Sequence, residues 1–502
     1  MKPLEQLRRD AKALKKAHEA GEAQAVLRMK VHGPKADGTL LHADYLHVIA
    51  QEQGFASWPR LKFATETEGL DRAGRIQRLK IAIHNGQNWR TEQLLAETPD
   101  LPDGLFAMQV ALLNREEVAR MLAEDPSRAV QDFGLRRPML HLAFSRWIHA
   151  RPDLEVDMLA IADMLVAHEA DVNDTCPVGI GNPHPLSALY GAIGHANNMV
   201  LGRWLLEQGA DPNDGESLYH STELGHHEGL RMLLAHGAKP TGTNALLRAM
   251  DFNDHEAVRM LLDAGADPDD FAGEHVGGER PWVIPALHQA ARRMCDGAMA
   301  QMLLDAGADP HRSFEGITPY AYARVFGNEE VRRAIEAIGD VPELSPVERA
   351  LATAAEGGDL PENQVRQEDL PEACRDLIRT ILHLPGKLEH VKRLVALGLD
   401  PDLPDGEGLT PVQVAGWEGL PDMMGWLLTL EPDLTHVNRY GGDLLATIVH
   451  GSENCPARAE RDHVACLELA RNAGVPFRAD VLAGAGEEDV AAYLSDWATE
   501  AS

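Results

Sequence analysis

A chain of 502 residues is too long for one ordinary core, so it must be several domains or an array of repeats. Hydrophobic content of 44% and charged content of 25% are those of a soluble globular protein, and 5% aromatic content suits small-residue helix packing better than a β-sandwich. A formal net charge of -31 argues against nucleic acid, because phosphate contacts need a basic surface, and suits a partner with a basic surface. Five scattered cysteines (Cys176, Cys295, Cys374, Cys455, Cys466) fit reduced thiols, not a disulfide framework. Met1–Asp10 lacks the apolar run of a signal peptide, and no stretch approaches the roughly 20 apolar residues of a membrane span. The expectation is a cytoplasmic protein that does not bind membranes.

Residues 1–66 are basic against an acidic remainder. Leu4, Leu7, Ala11, Leu14 and Ala17 follow helical spacing, and Gly21 ends that helix. A second run, Glu22 to Val31, stops at His32-Gly33-Pro34, and a third covers about Ala43 to Gln53. Ser57 reads as an N-cap, with Pro59 at a helix start. The segment is expected to be a small helical domain that caps the rest of the chain; a basic docking patch is the sharper alternative.

From about residue 72 short helices come in pairs. Arg78–Gly86 and Thr91–Glu97 form the first pair, and the next unit closes at Met121-Leu-Ala-Glu-Asp-Pro-Ser127. Another opens at Leu140-His-Leu-Ala143 and closes at Met164–Asn173. The clearest closing stretch is Trp204-Leu-Leu-Glu-Gln-Gly-Ala-Asp-Pro-Asn213. Its leucines read as a buried helix end, Gly209 as the left-handed residue beyond it, and Pro212 as a block to continuation. Near-copies lie at 260–269 and 302–311, and looser ones at 232–241 and 393–402.

These units resemble ankyrin repeats, whose consensus opens with Thr-Pro-Leu-His-x-Ala, passes a Gly-His turn and closes with Leu-Leu-x-x-Gly-Ala-Asp-x-Asn. The openings here include Thr318-Pro-Tyr-Ala-Tyr-Ala323, Thr410-Pro-Val-Gln-Val-Ala415, Ala286-Leu-His-Gln-Ala-Ala291 and Ser217–Thr222, which runs into Gly225-His226. His184-Pro-Leu-Ser-Ala-Leu189 matches the start, then carries one extra residue before Gly194-His195. The resemblance, to a bacterial-type ankyrin repeat protein, covers about residues 72–478. It implies an all-α solenoid of helix-turn-helix units with projecting finger-like turns, preceded by the small N-terminal domain. It also implies that His141, His288 and His226 make structural hydrogen bonds.

The motif's Asp falls at 171, 211, 267, 309 and 400, with Lys239 in its place once, so the intervals from 171 to 309 are 40, 28, 28 and 42. Against about 33 for the family, the long units must hold insertions. Two places break the rhythm. Leu360–Pro371 interrupts a repeat begun at Ser345, before a helix expected over Glu372–His383. The unit opening at Tyr440 runs on to Asp462 before its closing helix. Expected domains are 1–66, a first block 72–340, divergent repeats 341–478 and a helical cap 479–502.

No chemistry-bearing pattern stands out. The chain has no Gly-x-Ser-x-Gly elbow and no phosphate-binding Gly-x-x-x-x-Gly-Lys loop. His450, Cys455, His463 and Cys466 cluster, but their spacing matches no paired-ligand zinc motif, and Cys176 with His184 and His195 is no stronger. No catalytic residue, metal or cofactor is therefore assigned. The expected function is non-catalytic binding of another protein through the concave, loop-bearing face, with the insertions as contacts. Aromatic and Arg residues carry such interfaces, which selects Trp147, Arg151, Phe271, Arg280, Trp282, Phe314 and Tyr440. The rival is an enzyme or small-molecule sensor in which Trp147, His149, His275, Arg280 and Trp282 converge on one enclosed pocket.

Overall fold

The computed structural model describes residues 2–33, 40, 42–271, 276 and 283–500. The chain divides into two compact units, residues 1–286 with 306–308 and residues 287–305 with 309–502. The boundary expected at 340 falls inside the second of these.

The first unit begins with helices Leu4–Glu19, Ala23–His32, His42–Glu52 and Trp58–Thr67. The predicted stripe does the packing: Leu7, Ala11 and Leu14 are buried with Leu46, Ile49, Trp58 and Leu61 in a core of their own. Ser57 stands at the N-cap, although its side chain makes no capping bond. Phe63 meets Trp89 edge-on at 5.5 Å, so the last of these helices packs on the first repeat.

The repeats follow as helix pairs: Arg72–His84 with Asn88–Glu97, Phe106–Ala111 with Arg115–Glu124, and Pro138–Ala143 with Glu155–Ala167. Ala188–Tyr190 continues as a π-helical turn, Gly191–His195, before Met199–Glu207. That turn absorbs the extra residue noted in the sequence, since a π turn accommodates one residue more than an α turn. Ser217–Ser221 with Glu228–Ala235 and Ala245–Asp251 with His255–Asp263 complete the regular series.

The closing motif behaves as its residues dictate. Gly209 has φ 93°, a left-handed conformation that a side chain would strain. Each motif Asp accepts a bond from the backbone two residues on, as Asp211 does from Asn213 N at 2.9 Å and Asp267 from Asp269 N at 2.8 Å. The motif Asn ties neighbouring fingers together. Asp211 N donates to Asn173 Oδ1 at 2.8 Å, and Lys239 N donates to Asn213 Oδ1 at the same distance.

Between the regular units lies an element the sequence did not announce. The insertion after Asp171 is an antiparallel hairpin, β1 (Thr175–Gly179) and β2 (Asn182–Ser187), where only a loop was expected. Its pairing buries Cys176 and Leu186, directly opposite each other.

The second unit repeats the plan in Gly297–Asp305, Pro319–Phe326 with Glu329–Glu336, Pro411–Trp417 with Pro421–Leu428, and Leu444–Asn454 with His463–Asn472. Buried Asn328 holds it together, donating to the carbonyls of Ala290, Ala291 and Cys295. The helix expected over Glu372–His383 is broken into a 3-10 turn, Glu372–Cys374, and a short helix, Leu377–Ile381. The preceding insertion docks through Val365 N on Leu397 O at 2.9 Å. Ala479–Gly484 and Glu488–Glu500 end the chain.

Candidate protein-binding groove

In the first unit the first helices of three successive repeats line one face. Arg72–His84 contributes Ile81 and His84, Phe106–Ala111 contributes Met108, and Pro138–Ala143 contributes His141. Two projecting elements wall this face. One is the finger Phe133–Arg136, closed by Phe133 N on Arg136 O at 2.9 Å. The other is the hairpin, which presents Pro177, Val178 and Ile180. Together they enclose a groove of about 590 Å³. Its rim is apolar and open to solvent: Ile180 is 97% exposed, Leu135 51%, and Ile81 and Val178 39% each. A contiguous patch of this kind marks an interaction surface more often than scattered apolar residues do.

The hairpin offers side chains, not backbone. Pro177 lies in β1, and Pro183 and Pro185 lie in β2, so neither strand has an unbroken row of donors for another strand to join.

Beneath the rim is a ring stack. His84 lies on His195 at 4.2 Å between centroids, and His195 approaches Phe144 at 5.2 Å. Arg136 covers the Phe144 ring at 4.1 Å and donates to His84 Nδ1 at 3.3 Å, which places the His84 proton on Nε2. His195 Nε2 bonds the His84 carbonyl at 2.9 Å, and Arg146 donates to the His195 carbonyl at 2.8 Å. Burial, then the Arg136 and Arg146 charges, pushes His84 down to about 4. Burial first and then His84 take His195 down to about 3. His141, bonded to the Phe133 carbonyl at 3.2 Å, is pushed by burial to about 4. All three imidazoles are neutral at pH 7, so the groove's positive charge comes from Arg136 and Lys80.

The residues selected from sequence are dispersed. Trp147 is buried, 5% exposed, which removes it as an exposed contact; it begins the first of two 3-10 turns, Trp147–His149 and Pro152–Leu154. With exposed Arg151 it lines a separate cleft of about 780 Å³ near Leu113, Leu154 and Asp157. Arg151 there pairs with Asp153 at 2.6 Å. Phe271 is half-buried. Arg280 and Trp282, with His275, lie outside the described residues. His149 is used by the fold itself: its Nε2 donates to the Ala196 carbonyl oxygen at 2.6 Å. In the second unit half-buried Phe314 meets His288 edge-on at 5.8 Å. Tyr440 is 73% exposed and borders a cleft of about 690 Å³ with Trp417, Asn438 and His450.

The histidines implied to be structural are so. His288 Nε2 bonds the Ile317 carbonyl at 3.1 Å, and His226 Nε2 bonds Asn197 Oδ1 at 2.8 Å. Cys466 and Cys455 are buried, His463 bonds the Trp417 carbonyl, and His450 meets Asn454. Among the described residues no group of three or more His, Cys, Asp or Glu is arranged to hold a metal, and no helix is long and apolar enough to cross a membrane. Sequence reasoning missed the groove residues Ile81, Leu135, Val178 and Ile180; the one signal on offer was apolar Val178 and Ile180 amid turn-forming glycine and proline.

No curated protein matches the chain. Among solved structures, the human ASB11 ankyrin repeat domain is 18% identical, with 50% of this chain and 96% of that one covered and a TM-score of 0.24. An ankyrin repeat domain from Acinetobacter baumannii AYE is 23% identical, with 39% and 96% covered and a TM-score of 0.30. Residues 189–272 match the family model of ankyrin repeats in three copies, and the fold is mainly α-helical, with ankyrin-type helix pairs following a small helical N-terminal domain.

Proposed function

We propose that the chain is a non-catalytic, bacterial-type ankyrin repeat adaptor of the cytoplasm that holds a partner protein on the loop-bearing face of its first unit. Ankyrin repeats generally mediate protein–protein interaction. The observation that carries the choice of surface is the open apolar rim, Ile81, Leu135, Val178 and Ile180, around one groove. Monomers rarely leave such a cluster uncovered. Arg151, Phe271, Arg280, Trp282, Phe314 and Tyr440, selected from sequence, are kept in the proposal as partner contacts in their own right. The acidic excess elsewhere suits a partner whose remaining surface is basic.

Affinity capture with the full chain and with a Leu135→Asp/Ile180→Asp variant, compared by quantitative mass spectrometry, tests the reading. Both substitutions are at exposed positions, so the fold survives. A partner retained by the native chain and lost from the variant supports the groove. Identical partner lists remove it.

A further inference from the structure

We propose that the groove takes a peptide segment in which an aliphatic or aromatic residue is flanked by Asp or Glu, the apolar side chain seating against Leu135, Val178 and Ile180 and the carboxylate meeting Arg136 and Lys80. This rests on the groove being the binding surface and adds the chemistry of the occupant.

The first support is what the groove lacks. The chain carries 78 Asp and Glu residues against 47 Lys and Arg, yet no Asp or Glu is among the residues that line it. The charged side chains there are Lys80 and Arg136 alone. A cationic lining in an acidic protein repels a basic segment locally, whatever the net charge does at long range.

The second support is the state of Arg136. A guanidinium has five N–H donors. The bond to His84 Nδ1 uses one, and the Phe144 ring holds the plane without consuming any. Among the described residues no carboxylate pairs with Arg136 or Lys80. Arg248, by contrast, is held between two carboxylates, Glu223 at 2.7 Å and Asp251 at 2.9 Å. The guanidinium is thus positioned by the fold and still has donors to offer a carboxylate.

The third support is size. A space of about 590 Å³ fits a few side chains of a segment, within the usual range for ligand clefts of about 300–1,000 Å³, and not a folded domain. Prolines in both strands of the hairpin disfavour pairing by strand addition, so recognition falls to side chains.

Random-peptide display against the full chain tests this, with parallel selections on Leu135→Asp/Ile180→Asp, Lys80→Gln and Lys80→Gln/Arg136→Gln. Lys80 is exposed, so its variant keeps the test open if loss of the Arg136 stack disturbs folding. The expected result is a set of peptides lost on the double-Asp variant and enriched in Asp or Glu beside an apolar residue. Their affinity should fall about tenfold for the charge variants and weaken further with added salt. Groove-dependent peptides that are neutral or basic, or acidic ones held equally by the charge variants, overturn the inference and leave the groove reading standing. If the wild type retains no peptide, or every retained peptide survives the double-Asp variant, the groove reading falls as well.

Discussion

Two adjacent stretches of the first unit treat their surfaces in opposite ways. In residues 189–272, where the family model matches, polar side chains are tied to their neighbours: Trp204 Nε1 donates to Asp163 at 3.1 Å, Arg203 pairs with Glu228 at 3.2 Å, and Arg231 pairs with Glu256. Even the exposed Phe252 is covered by Arg248 at 4.9 Å. In residues 130–187, where the repeat is interrupted, Leu135, Val178 and Ile180 stand open and Arg136 has no carboxylate partner among the described residues. Regularity leaves little surface over for a partner; departure from it supplies that surface.

The comparison can be broken most severely from the regular side. Leu205 is fully buried, and Leu205→Ala should lower stability by about 2–5 kcal/mol in urea unfolding while leaving partner capture by the folded fraction intact. A selective loss of capture would mean the two stretches are not separable.

Acid comes next and bears on the groove. His84, His141 and His195 are held near 4, 4 and 3, below the ordinary value of 6.5. Below 6.5 the unfolded chain binds protons that the folded groove refuses. Stability from these sites is therefore present above 6.5 and lost as pH falls from 6.5 toward 3. His84→Gln/His195→Gln should flatten that limb of a denaturation-versus-pH curve, and an unchanged slope would show that the ring stack is not what titrates. Partner binding itself should be flat between pH 6 and 8.

A smaller effect is expected at the fingers. Asn213→Ala removes the acceptor for Lys239 N, a loss of about 0.5–1.5 kcal/mol by urea unfolding. Smallest of all on stability is Ile180→Asp, within about 0.5 kcal/mol at so exposed a site, yet it should weaken partner binding more than any of the others. Thermal melts and binding isotherms on the same samples separate the two quantities.

The helix ends were readable because their causes are local. A left-handed glycine, a proline and an Asp that bonds two residues onward make the same turn wherever they occur, and Gly209, Gly237, Gly265, Gly307 and Gly398 all have positive φ. The extra residue before Gly194 was visible too, although its resolution as a π turn was not. The hairpin was hidden because three prolines and two glycines read as loop, whereas strand pairing is settled by the residue opposite. Trp147 misled for a related reason: a tryptophan in an insertion looks like a contact, and only the tertiary fold decides that it is buried. The groove draws on three helices and two projections far apart in sequence, so no local pattern could assemble it.

The bond from one finger to the next tolerates very different lengths of intervening chain. Asn173 reaches Asp211 across an interval of 38 residues, and Asn213 reaches Lys239 across 26, with the same 2.8 Å in both. The pitch of the array is thus set at the fingers, while the length of chain between them is free to change. The hairpin lies within the longer of these two intervals, so a segment of that length is carried between two fingers that are still joined by the same bond.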